Sequence, residues 1–297
     1  MNGHHFCLDD SPRFRMLELG SVDSTNSFLK AYRPMSPVEM TLVTAEHQSA
    51  GRGQRGNTWE SDEGCNLLFS LLLVPESLLA SEMFVLSEAM ALSVADAVEA
   101  QLATATATNG IRASEPVAVK WPNDVYVGDA KVAGILFENE LAGTRLGRCI
   151  IGCGVNVNQR RFRFSEAPLS SLLPSSVEDV REGFVAQSRP EPVSLYGLLG
   201  REVERRFVLE DIMETFTRRY ELIRRGEYSN VHADYAARLY RRTGFHAYRD
   251  ADGPFQAELS GVEPSGHLLL RDDAGRLRRY AFKEVSYERV CQCPPRP

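Results

Sequence analysis

A glycine-rich segment with two arginines, Gly51-Arg52-Gly53-Gln54-Arg55-Gly56, has a composition suited to chemistry. Three glycines in six residues permit tight turns and close approach of the backbone to a ligand. Backbone N–H groups beside guanidinium groups can bind a phosphate or a carboxylate. The segment matches neither the phosphate-binding P-loop nor the dinucleotide fingerprint. On spacing alone, a flexible basic surface turn explains it equally well.

A lysine and an aspartate near a predicted turn form a second candidate. The motif Lys120-Trp121-Pro122-Asn123-Asp124 interrupts a predicted strand, and Lys131 follows soon after it. A lysine in apolar surroundings can hold a carboxylate as a point charge. The Asp124 carboxylate can hold magnesium or orient an incoming amine. Taken alone, this motif is explained more simply as an ordinary hairpin with a solvated lysine.

Two further segments contain polar residues among small ones. The hydroxyls and amide of Asp23-Ser24-Thr25-Asn26 can bond a neutral group such as a urea, although plain helix capping uses the same residue types. In Gly152-Cys153-Gly154-Val155-Asn156, the small residues would let a ligand lie against a strand, and Asn156 can bond a ribose or a phosphate. The alternative is a buried strand that needs glycine for close packing.

Alternating strands and helices must position these motifs. Extended, β-branched or apolar runs predict strands over residues 14–19, 41–45, 66–74, 117–121, 125–127, 131–138 and 149–157. Apolar periodicity predicts a deeply packed helix over 82–102 and an amphipathic helix around 209–223. After residue 242 short strands and turns predominate, including 255–259, 268–270 and 280–287. Residues 161–192, rich in serine, proline and charge, are predicted to be a surface loop or insertion.

The composition excludes several functional classes. A net charge of −6 over 297 residues argues against nucleic-acid binding as the main function. The six cysteines lack the spacing of a zinc site. The N-terminal segment has no signal-peptide core, and no apolar run approaches the roughly 18 residues of a membrane span. We therefore expect a cytoplasmic protein that acts neither on DNA nor in a membrane.

Together, the motifs resemble the biotin–protein ligase family in their type, order and separation. The resemblance is strong over residues 14–160 and looser to about residue 290. Its most specific part is KWPND followed by K-x-x-G-I-L. The matching series is Ser24-Thr25-Asn26, Gln48, GRGQRG, Trp59, KWPND, Lys131 in KVAGIL, and GCGVNVN.

The resemblance implies both a fold and an activity. The fold is α+β: a class II synthetase-like mixed sheet with flanking helices over residues 1–242, and an SH3-like all-β C-terminal domain over 243–297. The activity is ATP-dependent attachment of biotin to a lysine of the apo biotin carboxyl carrier protein of acetyl-CoA carboxylase, through biotinyl-5'-AMP and with Mg²⁺. The dozen residues before the first strand are too few for a helix-turn-helix, so a ligase-only protein, monomer or homodimer, is expected.

The resemblance also implies roles for individual residues. Lys131, Asp124 and Arg52 would be catalytic, with Lys131 holding the biotin carboxylate and Asp124 assisting magnesium or the acceptor lysine. The residues implied to bind biotin are Ser24, Thr25, Asn26, Gln48, Arg52, Gly53, Gln54 and Lys131, the first two and Gln48 at its ureido end. Those implied to bind ATP are Arg52, Gln54, Arg55, Gly56, Trp59, Asn123 and Asn156.

The glycine-rich loop departs from the family pattern at two positions. Many members have GRGRRGR, whereas Gln54 and Asn57 replace two of the arginines here. Loss of a charge-assisted hydrogen bond to phosphate costs roughly 1.5–3 kcal/mol. We therefore expect the adenylate to be held less tightly than in arginine-rich members. Gln54→Arg should slow its release from the purified protein, and an unchanged off-rate would contradict this expectation.

Other functions remain open from the sequence. A lipoate or octanoate ligase would share the fold and the chemistry, and product analysis with biotin or lipoate separates it from a biotin ligase. A DNA-binding repressor would give a gel shift. A non-catalytic binding module would bind biotin without releasing pyrophosphate.

Overall fold

The computed structural model describes residues 13–36, 38–53, 58–75, 77–109, 115–162 and 191–288. Seven strands form the larger of two sheets. Their bounds are β1 Phe14–Val22, β2 Met40–Gln48, β3 Leu67–Leu73, β4 Val117–Lys120, β5 Asp124–Val127, β6 Ala130–Ala142 and β7 Arg145–Val155. Each of them overlaps a strand that the apolar and β-branched runs predicted.

This first sheet is mixed. Its strand order is β1-β2-β3-β7-β6-β5-β4, with β1 parallel to β2 and every other pair antiparallel. All seven residues of β3 are buried, because the strand lies near the middle of the sheet and both of its faces are covered. The predicted mixed sheet with flanking helices is confirmed.

Helices cover both faces of this sheet. Their bounds are α1 Thr25–Ala31, α2 Phe84–Asn109, α3 Leu195–Leu199, α4 Arg205–Arg224 and α5 Tyr228–Ala237. On one face, Leu29 of α1 packs with Val43, Leu72 and Ile150. On the other face, α2 joins the main core, where α4 and α5 pack against it. The helix predicted over 82–102 is deeply packed as expected: Leu86, Met90, Val94 and Ala97 are buried, as is the apolar face of α4.

A second sheet is built from the C-terminal strands. They are β8 Phe245–Asp250, β9 Gly253–Val262, β10 Leu268–Asp272, β11 Leu277–Tyr280 and β12 Ser286–Tyr287, in the antiparallel order β11-β10-β9-β8-β12. The expectation of a separate all-β unit is confirmed. Its boundary at residues 242 and 243 stays a prediction.

The predicted single strand over residues 280–287 is wrong. Two short strands occupy its ends, and a turn containing Lys283 at φ +75° separates them. A positive φ takes the backbone out of the extended region, so the strand cannot continue through this residue. Residues 272–275 form a turn, in which the Gly275 N–H donates to the Asp272 carbonyl at 2.9 Å.

Trp121 joins the two sheets. Its indole N–H donates to the Gly266 carbonyl at 3.0 Å, and its ring contacts Phe282 edge-on. Gly266 has φ +87°, and a Cβ there would lie 2.7 Å from the Phe84 ring. Glycine is therefore required at this position both for the turn and for the close approach of α2 to the second sheet.

Among the described residues, none of the helices has the length and apolar character needed to cross a bilayer.

A buried carboxyl group on α2, paired with a partly exposed imidazole on α5, should make stability depend on pH. Glu88 is 2% exposed, and one of its oxygens lies 2.5 Å from Nδ1 of His232. Burial raises the pKa of Glu88 to about 8 and lowers the pKa of His232. The raised pKa of Glu88 contributes stability that is fully present below the usual carboxyl range and is lost as pH rises through about 8.

Glu88→Gln keeps a neutral group of similar size at this position. We therefore expect the Tm of the wild type, relative to that of Glu88→Gln, to fall as the pH is raised from 6 to 9. Thermal unfolding of both proteins across this range measures the difference. A Tm difference that does not change with pH would contradict the assigned protonation.

Candidate active site

A row of glycines forms the floor of the candidate site, on the sheet face that carries α1. Gly152 lies directly across from Ser70 on one side and Leu136 on the other, and Gly154 pairs with Gly134. Because side chains alternate across a sheet, these positions share one face. A cavity of about 170 Å³ lies on this face of the sheet, and all three glycines line it.

Protein side chains lie directly on this glycine floor. A Cβ on Gly152 would lie 2.1 Å from the Asn26 amide oxygen, and one on Gly154 would lie 2.3 Å from the Trp59 ring. These glycines therefore accommodate Asn26 and Trp59, which is the close packing left open as an alternative to direct contact with a ligand. They place α1 and the Trp59 segment at the edges of the cavity.

The cavity brings together residues from five separate segments of the chain. Most of the residues singled out from the sequence are among those that line it. They are Ser24, Thr25, Asn26, Gln48, Arg52, Gly53, Trp59, Asp124 and Lys131, together with Gly152 and Gly154.

One end of the cavity is neutral and polar. The backbone N–H of Thr25 donates to Oε1 of Gln48 at 2.8 Å, and the Thr25 hydroxyl lies 3.1 Å from the same oxygen. Ser24 occupies the N-cap position of α1, but its side chain makes no capping hydrogen bond. Plain capping therefore does not account for this serine, and its hydroxyl lines the cavity instead.

The segment α1 is held in place from its C-terminal end. The Arg148 guanidinium, on β7, donates to the carbonyl groups of Leu29 at 3.1 Å and Tyr32 at 3.4 Å. Carbonyls at the end of a helix lack partners within the helix and are stabilised by such a cation. This contact fixes the helix on the sheet, and with it the polar residues at its N-terminal end.

A lysine and an aspartate occupy another part of the cavity. Nζ of Lys131 lies 2.8 Å from Oδ2 of Asp124, and both side chains are about one quarter exposed. The ammonium group is also 6.0 Å from the centroid of the Trp59 ring. The short β5–β6 hairpin brings the two charged residues together. Lys131 thus supplies a partly desolvated cation for an anionic group, and Asp124 supplies an acceptor.

Arg52 lies at the base of the glycine-rich loop. Its guanidinium pairs with Glu138 at 3.2 Å. Two backbone contacts bring the ends of the loop together. Arg52 and Thr58 form an isolated antiparallel β-bridge, and the backbone N–H of Trp59 donates to the Gly51 carbonyl at 2.9 Å. The predicted Gln54, Arg55 and Gly56 lie outside the described residues, so their roles stay predictions.

The Trp59 ring covers the part of the floor formed by Gly134 and Gly154. Its buried indole N–H has no hydrogen-bond partner among the described residues. A buried donor without a partner is unfavourable unless a ligand or a water completes it. The ring also forms an apolar surface beside Lys131, which suits a ligand with an apolar body and a charged end.

Two predicted nucleotide contacts do not line the cavity. The Asn156 side chain is buried and donates to the Val193 carbonyl at 3.1 Å, which connects β7 to the segment before α3. Asn123 is buried next to Asp124. The described contacts of Asn156 are structural, and the nucleotide-binding roles of both residues stay predictions.

Sequence reasoning missed two polar residues beside the cavity. Ser70 is fully buried on β3. Its hydroxyl oxygen lies 2.6 Å from Oδ1 of Asn26 and 2.7 Å from the hydroxyl oxygen of Thr25. Glu138 on β6 accepts from Asn26 at 2.9 Å and pairs with Arg52. The available signal was a single serine within the apolar run LLFSLLL.

The described residues do not form a dedicated metal site. They contain no cluster of three or more acidic, histidine or cysteine side chains that could hold a metal ion. Asp124 alone lines the cavity as a carboxylate, and one of its oxygens is bonded to Lys131. Magnesium typically uses one or two carboxylates together with substrate phosphates. Asp124 can therefore supply at most a single ligand, and its role toward magnesium stays a prediction.

Comparison with known proteins identifies the family. The family model for the biotin/lipoate A/B protein ligase family matches residues 19–156. A biotin–[acetyl-CoA-carboxylase] ligase from Paracoccus denitrificans is 30% identical over 261 residues, which cover 87% of this chain and 95% of that protein. This chain belongs to the biotin/lipoate A/B protein ligase family. The family expected from the motifs is thereby confirmed.

Other members of the family extend the likeness. The chain is 29% identical to the bifunctional ligase/repressor BirA of Bacillus subtilis, of whose length it spans 65%. The solved biotin protein ligase from Aquifex aeolicus in complex with biotin and ATP is 25% identical. It aligns with a TM-score of 0.65 over 92% of this chain and 97% of that one.

Proposed function

We propose that this protein uses ATP to attach biotin to a lysine of an apo biotin carboxyl carrier protein, through biotinyl-5'-AMP. The observation that carries the proposal is that Arg52 and Lys131, from separate segments, line one cavity with the neutral polar residues Thr25 and Gln48. Such a cavity suits an acid with an uncharged polar head. The family membership and the biotin and ATP in the Aquifex structure support this choice of substrates.

The first step joins two anions. A biotin carboxylate oxygen attacks the α-phosphorus of ATP. The bond between this phosphorus and the oxygen that bridges to the β-phosphorus breaks, and pyrophosphate leaves. Lys131 holds and orients the carboxylate, and Arg52 exchanges its contact with Glu138 for the phosphate. Fixed cations in a partly desolvated site stabilise the charge that accumulates on the phosphate in the transition state.

The second step transfers the acyl group. The carrier lysine nitrogen attacks the carbonyl carbon of the mixed anhydride, the bond from this carbon to the phosphate oxygen breaks, and AMP leaves. A free lysine has a pKa near 10.4, so the attacking amine must lose a proton. Asp124 lines the cavity, and in this proposal its carboxylate accepts that proton.

The two sheets belong to two proposed domains with different roles. Residues 1–242 would carry the chemistry, since every described residue lining the cavity lies among them. Residues 243–297 would form the SH3-like domain that packs beside it.

A product assay tests the function against the lipoate alternative, which the family model includes. The purified protein is incubated with ATP, a biotin-accepting apo-carrier and either biotin or lipoate, and the carrier is weighed by mass spectrometry and probed with streptavidin. A mass increase and a streptavidin signal with biotin alone are expected. Modification by lipoate alone, or no modification at all, would overturn the proposal.

A further inference from the structure

Four side chains form a continuous line of hydrogen bonds from the protein surface to the neutral end of the cavity. The line begins at Glu138 and passes through Asn26 and Ser70 to Thr25, with distances of 2.9, 2.6 and 2.7 Å. Ser70 is fully buried, and Asn26 and Thr25 are each 3% exposed. Because each hydroxyl has one hydrogen to donate, the donor and the acceptor of each hydrogen bond in the line can be assigned.

Glu138 sets that direction. Its carboxylate is paired with Arg52 and lies near Lys30, and a carboxylate in such a pair only accepts hydrogen bonds. The Asn26 amide must therefore turn its NH₂ group to Glu138 and its oxygen to Ser70. The Ser70 hydroxyl donates to that oxygen, because two acceptors at 2.6 Å without a hydrogen between them would repel.

The hydroxyl of Thr25 is then committed as well. With the Ser70 hydrogen already used, the Thr25 hydrogen goes to the Ser70 oxygen at 2.7 Å rather than to Oε1 of Gln48 at 3.1 Å, because two acceptors at the shorter distance without a hydrogen between them would repel. That Gln48 oxygen faces the Thr25 backbone N–H, so the Gln48 NH₂ group remains a donor. The cavity thus presents an acceptor from Thr25 and a donor from Gln48.

We propose that Ser70 is a positioning residue for ligand specificity: anchored through Asn26 to Glu138, it fixes Thr25 as an acceptor that selects acids with an N–H next to a carbonyl. This inference rests on the proposed function, and it explains a preference within that function. The ring urea of biotin has an N–H beside its carbonyl. The dithiolane ring of lipoate has neither group, and a site built to bond an N–H disfavours a ligand without one.

The test is a kinetic comparison of Ser70→Ala with the wild type in biotin-dependent pyrophosphate release. Ser70→Ala should raise KM for biotin about 10- to 100-fold, while kcat and KM for ATP stay near the wild-type values, because the Ser70 hydroxyl contacts Thr25 and Asn26 at the neutral end of the cavity. Ser93→Ala is the matched control, since Ser93 is equally buried but donates within α2 to the Ala89 carbonyl.

Two further variants keep the test decisive. Ser70→Cys retains a weaker donor of similar size and should give an intermediate KM for biotin, which also serves if Ser70→Ala does not fold. In a Thr25→Val background, Ser70→Ala should change KM for biotin by less than about twofold, because Ser70 acts mainly through Thr25.

The outcomes separate this inference from the proposed function. A wild type without biotin-dependent pyrophosphate release refutes the function. If the wild type is active, two results for Ser70→Ala overturn the inference and leave the function standing. One is an unchanged KM for biotin, and the other is a change in kcat and in KM for ATP as large as the change in KM for biotin.

Discussion

Lys131→Ala is expected to reduce biotin-dependent pyrophosphate release by roughly 10²- to 10³-fold. The Lys131 ammonium group is a cation within the cavity, is about one quarter exposed and lies 2.8 Å from Asp124. Removing it takes away the charge that holds the acid carboxylate as the carboxylate approaches the phosphate. The fold should survive, because the side chain is partly exposed and borders the cavity rather than the buried core. Initial rates of pyrophosphate release at saturating ATP measure the effect.

Lys120→Ala provides the matched control. Lys120 lies on β4, which β5 separates from β6 in the sheet. Its ammonium group rests over the rings of Tyr126 and Tyr287 and does not line the cavity. Its removal should leave the rate of pyrophosphate release within about threefold of the wild type. Equal losses in both variants, or a normal rate in Lys131→Ala, would refute the role assigned to Lys131.

Gly152→Ala is expected to weaken biotin binding by about 100-fold. A Cβ at this position would lie 2.1 Å from Oδ1 and 2.8 Å from Cγ of Asn26. Asn26 cannot move freely, since Glu138 and Ser70 both bond its amide. The N-terminal end of α1 must therefore shift, together with the Thr25 and Ser24 side chains that line the cavity. Isothermal titration with biotin measures the loss.

Gly20→Ala separates this local effect from a general loss of strand glycine. Gly20 lies on β1, and a Cβ there meets nothing within 4 Å. Biotin affinity in Gly20→Ala should equal that of the wild type. If Gly152→Ala binds biotin normally, Asn26 and α1 do not define the binding end of the cavity.

The strands and the long helix were predictable because their signals are local. The buried strand β3, for example, is a nearly continuous apolar run, and the buried stripe of α2 repeats at helical spacing. The helix α5 was not predicted, since only Val231 and Tyr235 of its residues are buried, too few to establish a period. The break at Lys283 depends on a backbone angle that no residue type announces.

The sequence predicted many of the residues that line the site, but not how their side chains are arranged. The order of the motifs identified Ser24, Gln48, Arg52 and Lys131, which the structure brings into one cavity. Which side chains would meet there depends on strand pairing between distant segments. Asn26 and Glu138, for example, are separated by 112 positions along the chain. Sequence spacing also cannot distinguish a glycine that faces a ligand from one that faces Asn26.

The most direct test of convergence is a double-mutant cycle on the affinity for biotinyl-AMP, measured by titration calorimetry. The four proteins are the wild type, Arg52→Ala, Lys131→Ala and the double variant. If both cations contact one acyl-phosphate linkage in one cavity, their effects should be coupled by about 0.5–3 kcal/mol. Free-energy losses that add to within roughly 0.3–0.5 kcal/mol would mean that the two residues act independently, which would contradict the shared site.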